Sequence, residues 1–258
     1  MRDRDVPERS RSGPGPVSPA AVGAVAQVFV TDLDELAVAP DDERHLAQVL
    51  RLRPGEVVVA SDGQGQWRPC RFTGSTTRGA RLTTILEPDG PVMTSVRLQP
   101  EVTVGFVPVK GGRPEWVVQK LTEAGVDRIV VLQSQRAVVR WEGERRTKAL
   151  ERLQRVAREA AAQSRRPWLP EVLGVDDLDD LSTRLAPVPL SLAHHGGRPP
   201  SLQAPAVAVG PEGGWDSSET ASGWPLVSLG ANVLRAETAA VAAGLLLCAL
   251  REGLVRPC

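Results

Sequence analysis

Beyond residue 100, short apolar segments rich in Val and Leu alternate with longer segments that have a helical pattern. The pattern predicts strands at 102–109, 128–132, 190–193, 206–209 and 226–229. It predicts helices at 114–124, 144–165, 217–223 and 236–250. Because strands that alternate with helices are typical of a parallel sheet covered by helices, this rhythm predicts an α/β fold.

The first ninety residues have a different rhythm, with several short strands and little helix. Strands are predicted at 26–30, 56–60, 67–73 and 80–86, with one short helix at 42–50. Short strands at this spacing predict a small barrel over 24–88. Residues 1–23 are charged, rich in Pro and Gly, and lack the apolar core of a secretory signal, so they are expected to form a disordered tail. Residues 89–258 are then the α/β domain.

The formal charge of the whole chain is zero, with 31 Lys and Arg against 31 Asp and Glu. This balance argues against a protein coated in positive charge. Locally, however, residues 136–166 contain ten Arg and Lys against four Glu, and residues 171–180 contain five acids and no base. The basic segment indicates either a surface that contacts phosphates or an ordinary solvated helix face. The acidic stretch is expected to lie away from nucleic acid.

Several classes of protein are excluded or disfavoured. The three cysteines, Cys70, Cys248 and Cys258, form no C-x-x-C pair, so no zinc or redox motif is expected, and their spacing suits a reducing cytosol. The apolar run at 238–250 is shorter than the roughly 20 residues of a membrane span. We therefore expect a cytoplasmic protein with no membrane partner and no metal.

Two loops, each predicted to follow a strand, indicate a binding pocket. The first, Gly-Pro-Glu-Gly-Gly at 210–214, follows an apolar strand, and its glycines allow a ligand to approach the backbone closely. The second, at 229–239, leads into the last helix and carries Arg235 and Glu237. Ligands of open α/β sheets bind beyond the carboxyl ends of strands, which favours one shared pocket. The alternative is a tight turn and an ordinary first helical turn with an exposed ion pair.

The two loops, read as GPEGGW and LGANVLRAETAA, closely resemble the signature of SPOUT-superfamily methyltransferases. Within it they resemble the RsmE-type 16S ribosomal RNA uridine-N3 methyltransferases. Further matches are Lys-Gly-Gly-Arg at 110–113, Glu-Trp at 115–116, QKLTEAGV at 119–126 and EAAAQS at 159–164. The sequence departs from the family pattern at Ala124, where Leu is usual, and at Ala162, where Glu is usual. No base role is assigned to position 162.

The resemblance implies a PUA-like β-barrel followed by a SPOUT-type parallel sheet with a C-terminal trefoil knot. It implies that S-adenosylmethionine binds in the knot and that the protein is a homodimer with its active site at the subunit interface. The residues implied to bind the cofactor are Leu192, His194, Val209, Gly210, Pro211, Glu212, Gly213, Gly214, Leu229, Gly230, Val233 and Leu234.

The implied reaction methylates N3 of a uridine in 16S rRNA, with the assembled small ribosomal subunit as the expected substrate. Uridine N3 must lose its proton before it attacks, so a catalyst needs a proton acceptor or a charge that stabilises the anion. Arg235 is the candidate for stabilising the uracil anion. Glu237 is a candidate base or orients Arg235, the alternative being a carboxylate that only favours the helix start.

The residues expected to contact RNA are Arg51, Lys110, Arg113, Arg136, Gln163 and Arg166. His45 is either a packing residue or an RNA contact beside Arg51, and His194 is expected to position the cofactor loop. Two other functions stay open: a ribose 2′-O or transfer RNA methyltransferase of the same fold, and a PUA-like RNA-binding protein that has lost catalysis. The barrel with its K-G-x-R and Q-K-x-T-E motifs argues against the first, and the intact loops argue against the second.

Overall fold

The chain forms two sheets, and it passes from the first to the second between residues 94 and 103. A computed structural model describes residues 18–44, 46, 50–78, 81–109, 113–221 and 223–256. Within these residues, the N-terminal sheet has five strands and the C-terminal sheet has six. His45, part of the predicted helix 42–50, and Lys110, part of the predicted RNA contact, lie outside the described residues.

The N-terminal sheet contains the strands β1 (Ala26–Phe29), β2 (Val57–Ser61), β3 (Gln66–Arg78), β4 (Arg81–Pro88) and β5 (Met93–Thr94). β1 pairs with β2 in parallel, and the other pairings are antiparallel. A 3-10 helix, Pro19–Val22, precedes β1, so the end of the predicted tail has a defined structure, while residues 1–17 lie outside the description. β5 pairs with β3, so the sheet extends past residue 88, where the predicted barrel ends. The helix α1 (Pro40–Arg44) lies between β1 and β2.

The C-terminal sheet confirms the predicted parallel α/β architecture. Its strands are β6 (Thr103–Phe106), β7 (Arg128–Leu132), β8 (Glu171–Val175), β9 (Leu190–Arg198), β10 (Ala206–Val209) and β11 (Leu226–Val227). Their spatial order is β11-β9-β10-β6-β7-β8, and every neighbouring pair is parallel. The helices are α2 (Arg113–Glu123), α3 (Gly143–Gln163), α4 (Leu178–Leu185), α5 (Ser217–Thr220) and α6 (Ala236–Arg251).

β8 and α4, which both begin in the acidic stretch, were not predicted from the sequence. Asp177 caps α4, because its carboxylate accepts a hydrogen bond of 2.7 Å from the backbone N–H of Asp180. Leu178, Leu181 and Leu185 are buried on the inner side of α4. This spacing of three and four residues is the helical signal, and the density of acids obscured it.

α2 and α6 pack against each other over the same part of the sheet. A Cβ at Gly244 would lie 2.5 Å from Cδ2 of Leu121, so glycine at this position allows the two helices to approach closely. Leu121, Ala243 and Leu247 belong to one buried cluster with the apolar residues of β6 and β10. None of the described helices has the length and apolar character needed to cross a bilayer.

α3 holds the N-terminal sheet against the C-terminal one. The guanidinium of Arg158 donates a hydrogen bond of 2.9 Å to the carbonyl of Phe29 and pairs with Asp42 at 3.1 Å. It also lies 4.9 Å from the centre of the Phe29 ring. Gln27 Nε2 donates a bond of 2.8 Å to the carbonyl of Arg166. These contacts connect β1 and α1 to the C-terminal half of α3 and to the turn that follows it.

Candidate active site

A cavity of about 340 Å³ lies at the edge of the parallel sheet where β10 and β11 end. Three parts of the chain form its walls: β9, the segment after β10, and the segment after β11 that continues into α6. The cavity exists because parallel strands bring their carboxyl ends, and therefore the loops that follow them, to one edge. The lining residues are Ala193, His194, His195, Val209, Gly210, Pro211, Glu212, Gly214, Trp215, Ser228, Leu229, Gly230, Asn232, Val233, Leu234, Ala236 and Ala239.

Glycine is required in both loops, for two different reasons. Gly230 has a φ of +138°, which side chains of L-residues rarely adopt. A Cβ at Gly210 would lie 3.0 Å from the indole of Trp215, so glycine lets that ring pack against the loop. Together they shape the two walls that follow β10 and β11.

The loop after β10 is fixed by contacts with the loop after β7. Arg136 donates a hydrogen bond of 3.1 Å to the carbonyl of Gly213 and pairs with Asp216 at 3.1 Å. Glu219 accepts bonds from the backbone N–H of Asp216 at 2.8 Å and from Ser134 Oγ at 3.2 Å. The N–H of Ser218, with a smaller contribution from Arg136, lowers the pKa of Asp216.

Charged side chains meet beside the cavity in an arrangement that the sequence did not reveal. Arg113 Nη1 lies 3.1 Å from Glu237 Oε1 and 3.8 Å from Glu212 Oε1. The Glu237 side chain is 12% exposed, and its Oε2 is buried without a hydrogen-bond partner among the described residues. The prediction that Glu237 orients Arg235 is therefore wrong, because its salt bridge is with Arg113.

Arg235 occupies the N-cap position of α6 and is exposed. Within the described part of the chain, its guanidinium has no hydrogen-bond or ion-pair partner. Because it is neither buried nor neutralised, its charge is available to a ligand, and its neighbours Leu234 and Ala236 line the cavity.

Most of the predicted cofactor-binding residues lie together in the cavity wall, with two exceptions. Leu192 is fully buried in the core below the cavity. Gly213 is outside the lining and instead has the side chain of Arg136 beside it. The prediction missed His195, Trp215 and Ser228, although each is next to a predicted residue, so extending the motifs by one position would have found them. His194 is exposed, and its Nδ1 contacts the carbonyl of His195.

Comparison with known proteins identifies the family. Residues 97–247 match the model of an RNA methyltransferase domain, and residues 40–85 match that of an RNA methyltransferase PUA domain. The chain is 34% identical to ribosomal RNA small subunit methyltransferase E of Mycobacterium bovis, over 85% of this chain and 90% of the relative. This chain belongs to the ribosomal RNA small subunit methyltransferase E family. The predicted resemblance is thus confirmed.

Other members of the family and their structures agree. The Synechocystis enzyme of the same name is 31% identical, over 76% of this chain and 66% of that protein. A crystal structure of ribosomal RNA small subunit methyltransferase E from Neisseria gonorrhoeae bound to S-adenosyl methionine is 28% identical, with a TM-score of 0.67. The match covers 87% of this chain and 97% of the Neisseria chain. A Legionella pneumophila methyltransferase with 24% identity and a TM-score of 0.71 shares the fold, over 86% of this chain and 96% of that one.

The residues of this methyltransferase that were predicted to contact RNA differ from one another in exposure and in their bonding partners. Arg113 lies beside the cavity, and Arg136 is exposed but bonded to the loop after β10. Arg51 is exposed on the N-terminal sheet domain, and Gln163 is exposed at the end of α3. Their placement leaves Arg51 and Gln163 open to a partner.

The prediction that Arg166 contacts RNA is wrong, because its side chain is only 12% exposed. It donates a hydrogen bond of 3.1 Å to the carbonyl of Thr122 and lies 3.4 Å from Asp127. Burial, partly offset by the charge of Asp127, lowers the pKa of Arg166 to about 10. Arg166 is therefore a structural residue.

Many cations of the basic segment are neutralised within the fold. Arg146 pairs with Asp176, Arg152 with Glu115, and Lys148 with Glu144. Arg165 donates to the carbonyls of Ala24 and Val25. Arg145 and Arg155 are exposed on α3, and neither has an ion-pair partner among the described residues. The charge excess of the segment therefore overstates the positive charge that is free to bind phosphate.

Proposed function

We propose that this chain transfers the methyl group of S-adenosylmethionine to N3 of a uridine in 16S rRNA of the small ribosomal subunit. The observation that carries the proposal is the cavity at the sheet edge, built by the two loops of the family signature and flanked by the Arg113–Glu237 pair. Membership of the family and the named activity of the Mycobacterium and Neisseria relatives support it.

The residues present fit the cofactor. Val209, Leu229 and Leu234 provide apolar surface for an adenine ring, and the glycine-rich loop at 210–214 exposes backbone polar groups. Trp215 lines the cavity, and its Nε1 is buried without a partner among the described residues, so it can donate to a ligand. When bound, S-adenosylmethionine supplies an electrophilic methyl group on its sulfonium. The residues implied to hold it are those of the predicted set, apart from Leu192 and Gly213.

Arg235 and Glu237 activate the nucleophile, which is N3 of the uridine. As the N3 proton leaves, negative charge spreads over the uracil oxygens O2 and O4. The free guanidinium of Arg235 stabilises that charge. Glu237 accepts the proton through its unpartnered Oε2, and Arg113 positions the Glu237 carboxylate through the other oxygen.

Four further properties of the family complete the proposal. The C-terminal domain forms a trefoil knot, and β9 lying between β10 and β11, which both come later in the chain, is consistent with it. The protein is a homodimer, it works in the cytoplasm, and its substrate is the assembled small subunit. Arg51, Lys110 and Gln163 contact the RNA.

The proposal is tested with small subunits from cells that lack this protein and with labelled S-adenosylmethionine. We expect methyl transfer to one uridine, located by mass spectrometry. Arg235→Ala and Glu237→Gln are expected to lower kcat about 100-fold, within the range that such groups contribute. Arg184→Ala, which removes an exposed cation on α4, serves as the control and should retain full activity. Survival of every N3-methyluridine in cells lacking the protein would refute the function.

A further inference from the structure

A second cavity, of about 460 Å³, lies between the start of α2 and α3. Its walls come from the end of the segment after β6, the first residues of α2, the loop after β7 and one face of α3. On α3 the lining residues recur at intervals of three and four, which places them along a single face. Those that carry chemistry are Glu115, Trp141, Arg145, Lys148 and Arg152.

Two parts of the chain are shared between this cavity and the active site. Arg113, at the start of α2, pairs with Glu237 and Glu212 beside the first cavity, while the next residues, Pro114 and Glu115, line the second. The loop after β7 holds Gly213 through Arg136 and then contributes Trp141 to the second cavity. The two cavities are therefore linked through the start of α2 and the loop after β7.

The charge in this second cavity is positive. Three cations line it against one carboxylate, and Arg152 is the cation that pairs with Glu115. Lys148 is paired with Glu144, but both side chains are largely exposed, at 75% and 90%, and such a pair is weak. Arg145 has no ion-pair partner among the described residues. The unpaired charge of Arg145 and the weakly paired, exposed charge of Lys148 thus face a phosphate in this cavity.

Two other features of the cavity fit a base and a sugar. The indole of Trp141 is half-buried, and its backbone carbonyl accepts a bond of 3.1 Å from Gln133 Nε2, so the loop that carries it is held in place. Aromatic rings of this kind stack on nucleobases. Glu115 Oε2 is buried without a partner among the described residues, and it is an acceptor for a ribose 2′-hydroxyl or a base amino group.

We propose that this cavity binds an RNA nucleotide next to the target uridine. Its base stacks on Trp141, its phosphate contacts Arg145 and Lys148, and a donor of its sugar or base reaches Glu115. The inference rests on the proposed function in one respect, that the partner is RNA. It adds the place where the substrate is held while the neighbouring uridine occupies the active site.

The test compares two arginines on the same helix. Arg145→Ala and Arg155→Ala each remove one exposed cation from α3, but only Arg145 lines the cavity. The affinity for small subunits lacking the modification is measured by filter binding over a range of salt concentrations. Arg145→Ala is expected to weaken binding about tenfold and to lower the salt slope by about one, as the loss of one phosphate contact does. Arg155→Ala is expected to change the affinity less than about twofold.

Trp141→Ala and Trp141→Phe separate stacking from packing. Trp141→Ala should weaken subunit binding about tenfold, in the range measured for lost base stacking, while Trp141→Phe retains most of the affinity. Affinity for S-adenosylmethionine, measured by calorimetry, should be unchanged in Arg145→Ala and Trp141→Phe. If Trp141→Ala fails to fold, the two arginine variants still decide the question, since both side chains are exposed.

Equal loss of subunit binding in Arg145→Ala and Arg155→Ala would overturn the inference, because it would indicate a diffuse charged helix face. Wild-type affinity in Arg145→Ala would also overturn it, as would a wild-type chain that does not bind subunits. Binding is measured without methyl transfer. A wild-type chain that binds subunits and does not methylate them would therefore refute the proposed function alone.

Discussion

Asp127 shows how one buried carboxylate connects the ends of several elements. It is 5% exposed and accepts hydrogen bonds from Arg251, from Arg166 and from the backbone N–H of Val102. Arg251 ends α6, Arg166 follows α3, and Val102 precedes β6. Its charge therefore compensates two buried cations at once.

Replacing Asp127 with Ala should lower the free energy of unfolding by about 3–5 kcal/mol, because both guanidinium groups would remain buried without a counterion. Urea denaturation measures the change. Asp89→Ala is the control: Asp89 forms a partly exposed pair with Arg71, and its loss should cost less than about 1 kcal/mol. Similar losses in the two variants would show that the Asp127 network does not depend on burial.

Arg113 is expected to act on catalysis through Glu237. Arg113→Ala leaves the mostly buried Glu237 carboxylate without its cation, so kcat should fall about 10- to 100-fold, the range for a lost charged hydrogen bond. Arg113→Lys keeps the charge and should recover part of the rate. Steady-state methyl transfer on small subunits measures both. An Arg113→Ala enzyme with wild-type kcat would contradict the positioning role.

At the scale of elements, the cavity depends on how the chain leaves β10 and β11. Gly230 follows β11 with a φ of +138° and has open space where a Cβ would be, so backbone strain alone opposes a side chain there. Gly253, after α6, has a φ of +70° and equally open surroundings, but it is remote from the cavity lining. Alanine substitutions at these two positions therefore distinguish the general cost of backbone strain from a change in ligand binding.

We expect Gly230→Ala to weaken binding of S-adenosylmethionine about tenfold or more, since relief of strain at φ > 0 shifts the loop that lines the cavity. Gly253→Ala should have wild-type affinity. Calorimetry gives both affinities, and urea denaturation gives the accompanying change in stability. Equal cofactor affinity in the two variants would indicate that the Gly230 conformation does not shape the pocket.

For the whole molecule, the neutral net charge reflects pairing between elements. Three cations of α3 are matched by carboxylates of α1, α2 and the turn before α4, namely Asp42, Glu115 and Asp176. The acidic stretch thus contributes a partner to the basic helix. What remains free on α3 is concentrated at a few exposed positions, among them Arg145 and Arg155.

The proposed homodimer is also a property of the whole molecule. α2 and α6 are neighbours, and each exposes a large apolar side chain, Trp116 at 43% and Leu245 at 52%. Light scattering should give twice the chain mass of 27.6 kDa. Leu245→Glu should shift the species to the single-chain mass and abolish methyl transfer. Val96→Glu, at a more exposed apolar residue between β5 and β6, should do neither. A wild-type chain that is monomeric at assay concentration would refute the dimer.

The sequence by itself determined the parallel sheet, the position of the two cavity loops and the family. These properties are local: periodicity distinguishes a strand from a helix, and a glycine-rich segment directly after an apolar strand indicates a loop at the sheet edge. β8 and α4 were also encoded locally, but acidic residues hid the apolar spacing of Leu178, Leu181 and Leu185.

Only the tertiary structure decided which charges meet. Arg113 and Glu237 pair because α2 and α6 pack side by side, and Arg166 is buried because it points to Asp127 instead of solvent. Arg145, Trp141 and Glu115 line one cavity because α3 lies beside the start of α2. Such pairings join residues that are distant in sequence. They depend on which elements become neighbours, and no short-range pattern of residue types carries that information.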